Sequence, residues 1–127
     1  MDFTNNQAIY LQIADYVCEQ ILLKNWQLGD KIISIRDLAV SLEVNPNTVQ
    51  RAYDFLQQRN IITNRRGVGY FIEPDAMERI VSFRREQFMA NELPAFLKTM
   101  YLLNIDLSEI KSAYESFVNN NFQKQTR

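Results

Sequence analysis

The sequence of 127 residues contains no histidine and only one cysteine, Cys18. Structural zinc sites draw their ligands from several cysteines and histidines, and a disulfide framework needs cysteines in pairs. Neither kind of site can therefore form within one chain, and we expect no metal and no cofactor. Cys18 is predicted to be a buried, small apolar side chain on a helix, and a redox role is the alternative.

Long apolar runs and a glycine-rich phosphate loop are also missing from the sequence. A membrane-spanning helix needs about 20 mostly apolar residues. A signal peptide begins with a basic flank, whereas this chain begins with the acidic Asp2. We therefore expect a cytoplasmic protein with no membrane partner. The carboxylates of the chain are scattered over predicted solvent-facing positions. A small enzyme is therefore the least favoured kind of function.

Neither sign of charge is in clear excess, because 14 lysines and arginines oppose 15 aspartates and glutamates. A generic electrostatic binder of nucleic acid would carry a surplus of positive charge. Basic side chains are nevertheless concentrated between residues 51 and 66, where the only acid is Asp54. The basic residues of this segment are Arg51, Arg59, Arg65 and Arg66. This local concentration favours a nucleic-acid contact.

A capped helix with a polar outer face is predicted to begin after Asn45. Asn45 suits the capping position, and Pro46 suits the first helical position because its missing N–H is harmless there. One side of this helix carries Val49, Ala52, Tyr53 and Leu56, and the other carries Asn47, Thr48, Gln50, Arg51 and Asp54. The polar side can hydrogen-bond bases and phosphates, although a solvated surface helix would show the same pattern.

A second helix and a short turn precede this one. Ser34 is predicted to cap the second helix, with Asp37 placed to close a capping box. An apolar stripe follows at Ile35, Leu38, Ala39 and Leu42. Only three residues then separate Leu42 from Pro46, which is the spacing of a helix-turn-helix. A first helix, from about Gln7 to Lys24, has an apolar stripe of Ile9, Ile13, Val17 and Ile21 and is expected to pack beneath the capped helix.

Two β-prone runs, residues 61–64 and 70–72, surround the segment Arg65–Gly69. The glycines in this segment fit a hairpin turn. Helix, turn, helix and hairpin together predict a winged helix-turn-helix, so the fold class is mostly α with a small β wing.

Four segments of the chain resemble the GntR family of bacterial transcription regulators. They are IYLQIADYVCEQI, GDKIISIRDLA, VNPNTVQRAYDFL and RRGVGYFI. Their order and spacing match that family over roughly residues 7–73, and the short helical remainder resembles the YtrA-type subgroup. The chain departs from the family at Ile33 and Leu28, where proline is common. Both departures lie in the turn that enters the second helix, away from the positions that would face DNA.

The resemblance implies that DNA is contacted by the start of the second helix and by the recognition helix, which is the capped helix that begins after Asn45. Arg36 is similar to a family arginine that reaches DNA, and a salt bridge to Asp37 or Asp30 is the alternative. The first turns of the recognition helix contact base edges in this motif. Asn47 or Gln50 is therefore expected to read a base, and Asn45 and Thr48 to bind either base or phosphate.

Further contacts are expected from the rest of that helix and from the wing. Arg51 is predicted to bind a phosphate, and an ion pair with Asp54 is the alternative. Arg65, Arg66 and Gly69 mark the wing, where arginine suits a narrow minor groove and glycine permits close approach of the backbone. Solvated arginines are the alternative at the wing.

Residues 1–73 are predicted to form the winged helix-turn-helix domain, and residues 74–127 a short helical dimerisation domain. Pro74 ends the wing strand, and no strand-like alternation follows it. The predicted helices run from Asp75 to about Asn91, onward from a restart at Pro94, and onward from a cap formed by Asp106 and Glu109. The run Asn119–Asn121 and the polar tail are expected to fray.

One copy of so short a helical domain cannot bury all of its apolar surface, so pairing with a second chain is expected. The predicted dimerisation residues are Phe88, Phe96, Leu97, Met100, Tyr101, Ile110, Tyr114 and Phe117. The alternative is a pocket for an unidentified small-molecule effector among Phe96, Met100, Tyr101 and Tyr114.

These observations predict a sequence-specific DNA-binding transcription regulator. The partner is double-stranded DNA, bound by a homodimer at a palindromic operator, because few phosphate contacts are available per chain. Repression is expected more often than activation. A winged-helix adaptor that contacts only proteins is the alternative, and it would carry an uncharged or acidic recognition face.

Overall fold

The computed structural model describes residues 7–122. The expectation that no signal peptide is present rests on Asp2, and the expectation of a frayed tail rests partly on the residues after 122. Both lie outside the described residues. The chain divides into two compact units, Met1–Arg84 and Arg85–Arg127. This division falls later than residue 73, because the helix after the wing packs its first two turns into the core of the first unit. The assignment of residues 1–73 to the winged helix-turn-helix domain stays a prediction.

Three helices and a hairpin make up most of the first unit. The helices are α1 at Ile9–Leu22, α2 at Ile35–Leu42 and α3 at Pro46–Gln58. Glu43 adopts a left-handed conformation with φ of 58° directly after α2, which turns the chain toward Asn45 and the start of α3. The predicted cap of α2 is present, since Ser34 Oγ accepts from the Asp37 N–H at 3.1 Å. The helix-turn-helix is thereby confirmed. The return bond to the Asp37 side chain, which would complete the predicted capping box, is absent from the described hydrogen bonds.

The wing is an antiparallel hairpin of β1, Ile62–Arg65, and β2, Gly69–Ile72. A third chain segment, which the sequence analysis did not assign to the wing, lies along the other edge of β2. Lys31 forms a bridge with Phe71, and the Ile32 N–H donates to the Tyr70 carbonyl oxygen at 2.9 Å. This segment connects the wing to the entry of α2.

A single core joins these elements. It contains Ile13, Ala14, Val17, Cys18, Ile21, Ile32, Leu38, Ala39, Val49, Ala52, Tyr53, Leu56, Ile61, Ile62, Ile72, Ala76 and Ile80. The inner side of α3 is therefore buried as predicted, and Cys18 is buried as well. Ile9 departs from the prediction because it is the first residue of α1 and is 44% exposed. The remaining members of its stripe are buried, and α1 packs against α3.

Helix α4, Ala76–Gln87, begins in the first unit and continues into the second. The expected break before Pro94 is wrong, because a π-helical segment, Phe88–Glu92, joins α4 directly to α5, Leu93–Leu102. Proline is tolerated there because it occupies the first turn of α5.

The last helix, α6, spans Leu107–Asn121 and has the predicted capping box between Asp106 and Glu109. The expectation that Asn119–Asn121 frays is wrong. Asn121 lies in the helix, and its side-chain Nδ2 donates to the Phe117 carbonyl oxygen at 2.8 Å.

Candidate nucleic-acid interface

The start of α3 is fixed by its cap and by one buried tyrosine. Asn45 Oδ1 accepts from the Asn47 N–H at 2.7 Å. On the inner side, the Tyr53 hydroxyl donates to the Ile33 carbonyl oxygen at 2.7 Å, which ties α3 to the segment before α2. Burial raises the pKa of Tyr53, so its hydroxyl keeps the proton that this bond needs. The recognition helix is therefore held in a defined orientation.

On the outer side of α3, some polar side chains are hydrogen-bonded within the protein and others are available to an outside partner. Asn47 is exposed, and Thr48 is half-buried. Gln50 is half-buried, and its Nε2 donates to Asp54 Oδ1 at 3.0 Å and to the Tyr70 hydroxyl at 3.4 Å. Gln50 would have to give up these bonds to read a base, whereas Asn47 projects from the first turn.

Arg51 contacts an aromatic ring rather than a carboxylate. Its guanidinium carbon lies 4.1 Å from the centre of the Tyr10 ring. The alternative ion pair with Asp54 is absent from the described contacts, and Asp54 accepts from Gln50 instead. Tyr10 lies on α1, and no sequence pattern connects it to a residue so distant in the chain.

Arg36 is exposed in the first turn of α2. Within residues 7–122 it forms no ion pair with Asp37 or Asp30, so the salt-bridge alternative is wrong. Its guanidinium keeps its donors available for an outside acceptor.

The wing presents its arginines around a glycine turn. Arg65 is exposed and its guanidinium carbon lies 3.9 Å from the centre of the Phe71 ring. Arg66 is exposed at the turn beside Gly67, which has a φ of 76°. Gly69 has a φ of 144°, and a Cβ added there would lie 2.6 Å from Lys31 Cε. A side chain at position 69 would therefore be strained in its backbone, and the flexible end of Lys31 would have to move to make room for it.

Arg59 differs from the other arginines of the basic segment. Its guanidinium carbon lies 4.3 Å from the centre of the Phe55 ring and 5.0 Å from that of Phe83. This contact joins the end of α3 to α4. The positive charge of Arg59 also suits the carboxyl end of a helix. Arg59 therefore belongs to the packing of α3 on α4 rather than to the outer face of the recognition helix.

The predicted dimerisation residues all lie in the second unit. Met100 and Ile110 are half-buried, and Phe88, Phe96, Leu97, Tyr101, Tyr114 and Phe117 are exposed. The exposed fraction reaches 82% for Tyr101 and 67% for Tyr114. No side chain between residues 85 and 122 is buried in the single chain.

Burial raises the pKa of the Cys18 thiol to about 12, so the thiol stays protonated and poorly reactive.

Across residues 7–122 there is no helix both long and apolar enough to span a membrane.

The sequence pattern of "Bacterial regulatory proteins, gntR family" matches residues 9–72, which include α1, the helix-turn-helix and the wing. The chain belongs to the GntR family. Like the relatives YhcF and YtrA, this GntR protein is a helix-turn-helix transcription regulator that binds DNA, and not an enzyme.

Relatives of this GntR protein extend the match beyond the wing. The helix-turn-helix transcription regulator YhcF of Bacillus subtilis (strain 168) is 35% identical over 115 residues, which cover 91% of this chain and 93% of YhcF. The repressor YtrA of the same strain is 37% identical over 81 residues, covering 64% of this chain and 62% of YtrA. A GntR family regulator from Listeria monocytogenes has a similar structure, with a TM-score of 0.73, 34% identity, and coverage of 90% of this chain and 98% of that one.

Proposed function

We propose that this GntR regulator binds a palindromic operator as a homodimer and represses transcription in the cytoplasm. The proposal rests mainly on α3, whose inner side is fully buried and whose outer face is free at the start of the helix. Arg36 and the wing arginines lie on elements tied to that helix. Tyr70 of β2 contacts Gln50 by a hydrogen bond and Tyr53 by an edge-to-face ring contact with centres 5.0 Å apart.

Base reading is assigned first to Asn47. An asparagine amide can donate to and accept from an adenine edge at the same time. Asn47 is exposed in the first turn of α3, and its backbone N–H is already satisfied by Asn45. Gln50 is bound to Asp54 and Tyr70, so it is the weaker of the two predicted readers. Arg36 complements Asn47 as a donor to a guanine edge or a phosphate.

Affinity is assigned to phosphate contacts from Arg51, Arg65 and Arg66, with Thr48 and the backbone at Gly69 as further partners. Each lysine or arginine that neutralises a phosphate releases counterions, which supplies much of the binding free energy. The number of such residues in one chain is small. Two copies on adjacent half-sites would double it, which favours a dimer on a palindrome.

The dimer is proposed to form through residues 76–122. An apolar surface of this kind on a single chain is typical of a protein interaction site. Repression is supported by the likeness to YtrA, which is named as a repressor. A small-molecule pocket among Phe96, Met100, Tyr101 and Tyr114 is the second use that the same surface allows.

Selection of bound sequences from a random duplex pool tests the proposal. We expect enrichment of a palindrome with half-site centres about ten base pairs apart. Absence of any enriched sequence at low salt would favour the winged-helix adaptor instead. The adaptor is the weaker candidate because its recognition face would be uncharged or acidic, whereas Arg36 and Arg51 are exposed here.

A further inference from the structure

The wing of this protein includes a third cation, Lys31, outside the hairpin itself. Lys31 lies in the segment that pairs with the free edge of β2. The Gly29 N–H donates to the Ile72 carbonyl oxygen at 2.8 Å, and the Ile32 N–H donates to the Tyr70 carbonyl oxygen at 2.9 Å. These bonds fix the backbone on both sides of Lys31, so the position of its side chain follows from the sheet.

Strand register places Lys31 and Arg65 on the same face of the wing. Phe71 is paired with Lys31 on one side and with Thr63 on the other, and Gly69 is paired with Arg65. Directly paired residues share a face, and so do alternate residues of one strand. The opposite face carries the paired and buried Ile62 and Ile72. The face with Lys31 and Arg65 is therefore the outer face.

The lysine side chain crosses the wing at Gly69. Lys31 Cε lies 2.6 Å, and Nζ 3.5 Å, from the position that a Cβ on Gly69 would occupy. The side chain thus leans toward the hairpin turn, which also carries Arg66. Its ammonium group stays outside the core, since Lys31 is exposed.

Two acidic side chains come from the surrounding segments. Glu73 follows Phe71 by two residues, and Asp30 precedes Lys31. Across the described part of the chain, neither carboxylate forms an ion pair with Lys31. The outer face of the wing therefore carries two positive charges, Lys31 and Arg65, that no carboxylate of residues 7–122 neutralises at contact distance.

We propose that Lys31 contacts the DNA sugar-phosphate backbone together with Arg65 and Arg66. The inference rests on DNA binding by the wing and deepens the function proposed above. A lysine ammonium is a compact charge that binds a phosphate without a fixed geometry, so it adds affinity rather than sequence reading. The absence of a side chain at Gly69 leaves room for the end of the Lys31 side chain on this face, because a Cβ there would require Lys31 Cε to move.

Salt-dependent binding to a random-sequence duplex tests this contact without requiring the operator to be known. Lys31→Met keeps most of the aliphatic stem and removes the charge, whereas Lys31→Ala removes both. The matched control is Lys24→Met, since Lys24 is exposed in the same unit but lies two residues after the end of α1. Thermal unfolding of each variant reports on the fold.

Lys31→Met is expected to unfold like the wild type and to bind more weakly at low salt. The slope of log affinity against log salt should be shallower by about 0.9 for each chain bound. The ratio of wild-type affinity to variant affinity should therefore fall about three- to fourfold per chain between 50 and 200 mM salt. Lys24→Met should retain the wild-type slope.

Equal slopes for Lys31→Met, Lys24→Met and the wild type would overturn the proposal. Loss of binding in Lys31→Ala but not in Lys31→Met would also overturn it, because the stem and not the charge would then matter. If the wild type selects no operator, the proposed sequence-specific function fails, while the contact of Lys31 is still decided on random DNA.

Discussion

The guanidinium carbon of Arg51 lies 4.1 Å from the centre of the Tyr10 ring, which joins the outer side of the recognition helix to the first turn of α1. An aromatic ring attracts a cation without neutralising its charge. Asp54, one turn further along α3, accepts from Gln50, and among residues 7–122 no carboxylate pairs with Arg51. Tyr10 therefore holds Arg51 in place while its positive charge stays available to a phosphate.

Replacing Tyr10 with leucine should weaken DNA binding by about 0.5–1 kcal/mol, because Arg51 loses the contact that positions it. Tyr10→Phe keeps a ring and should bind like the wild type. Fluorescence anisotropy with a labelled duplex measures both affinities. In an Arg51→Ala background, Tyr10→Leu should have no additional effect. An equal effect of Tyr10→Leu with and without Arg51 would show that Tyr10 acts through some other contact.

Replacing Asn47 with alanine should weaken binding to the selected operator by about 1–3 kcal/mol, because a base-edge contact is lost. Binding to a random duplex should hardly change, since non-specific affinity comes from phosphate contacts. Competition between labelled operator and unlabelled random duplex gives both values. Gln57→Ala is the control, because Gln57 is exposed near the other end of α3. Equal losses on both duplexes would contradict base reading by Asn47.

Replacing Tyr114 with lysine should shift the protein from dimer to monomer, because a charge would be placed within the proposed apolar interface. Light scattering over a concentration series measures the mass. Val40→Lys is the control, since Val40 is 73% exposed but lies on α2. A wild-type protein that is monomeric at micromolar concentration, or a Tyr114→Lys variant with the dimer mass, would count against the interface.

The Asp106 carboxyl should titrate below its ordinary pKa of 3.8, because the Ser108 hydroxyl and the Glu109 N–H donate to its charged form and lower the pKa. A group with a lowered folded-state pKa stabilises the fold above its unfolded value, and this contribution is lost as the pH falls through the folded-state value. Helix α6 should therefore lose stability on acidification below pH 3.8. Carbon-13 NMR titration measures the pKa, which Ser108→Ala should raise. An Asp106 pKa at or above 3.8 would contradict the role of the cap.

Local signals in the sequence predicted much of the first unit. Asn45, Pro46 and Ser34 act within a few residues of their own positions, so capping preferences are enough to locate the starts of α2 and α3. The inner side of α3 followed from helical periodicity. The glycines predicted the wing turn because few other residues adopt its backbone conformation.

Contacts between residues distant in the chain could not be predicted. Nothing local connects Tyr10 to Arg51 or Lys31 to Phe71, because these pairs exist only once the elements have packed. For Arg51 and Arg36, the sequence suggests only nearby acids as ion-pair partners. Pro94 predicts a break in the helix, whereas proline in the first turn of a helix can follow another helical segment directly.

We propose that two chains of this GntR regulator read one palindromic operator. The most direct test of this claim is the mass of the protein–DNA complex, measured by light scattering on the selected duplex and on a duplex with one half-site scrambled. Two chains per intact duplex are expected, with a large loss of affinity when one half-site is scrambled. One chain per duplex, or equal affinity for intact, scrambled and random DNA, would contradict the claim.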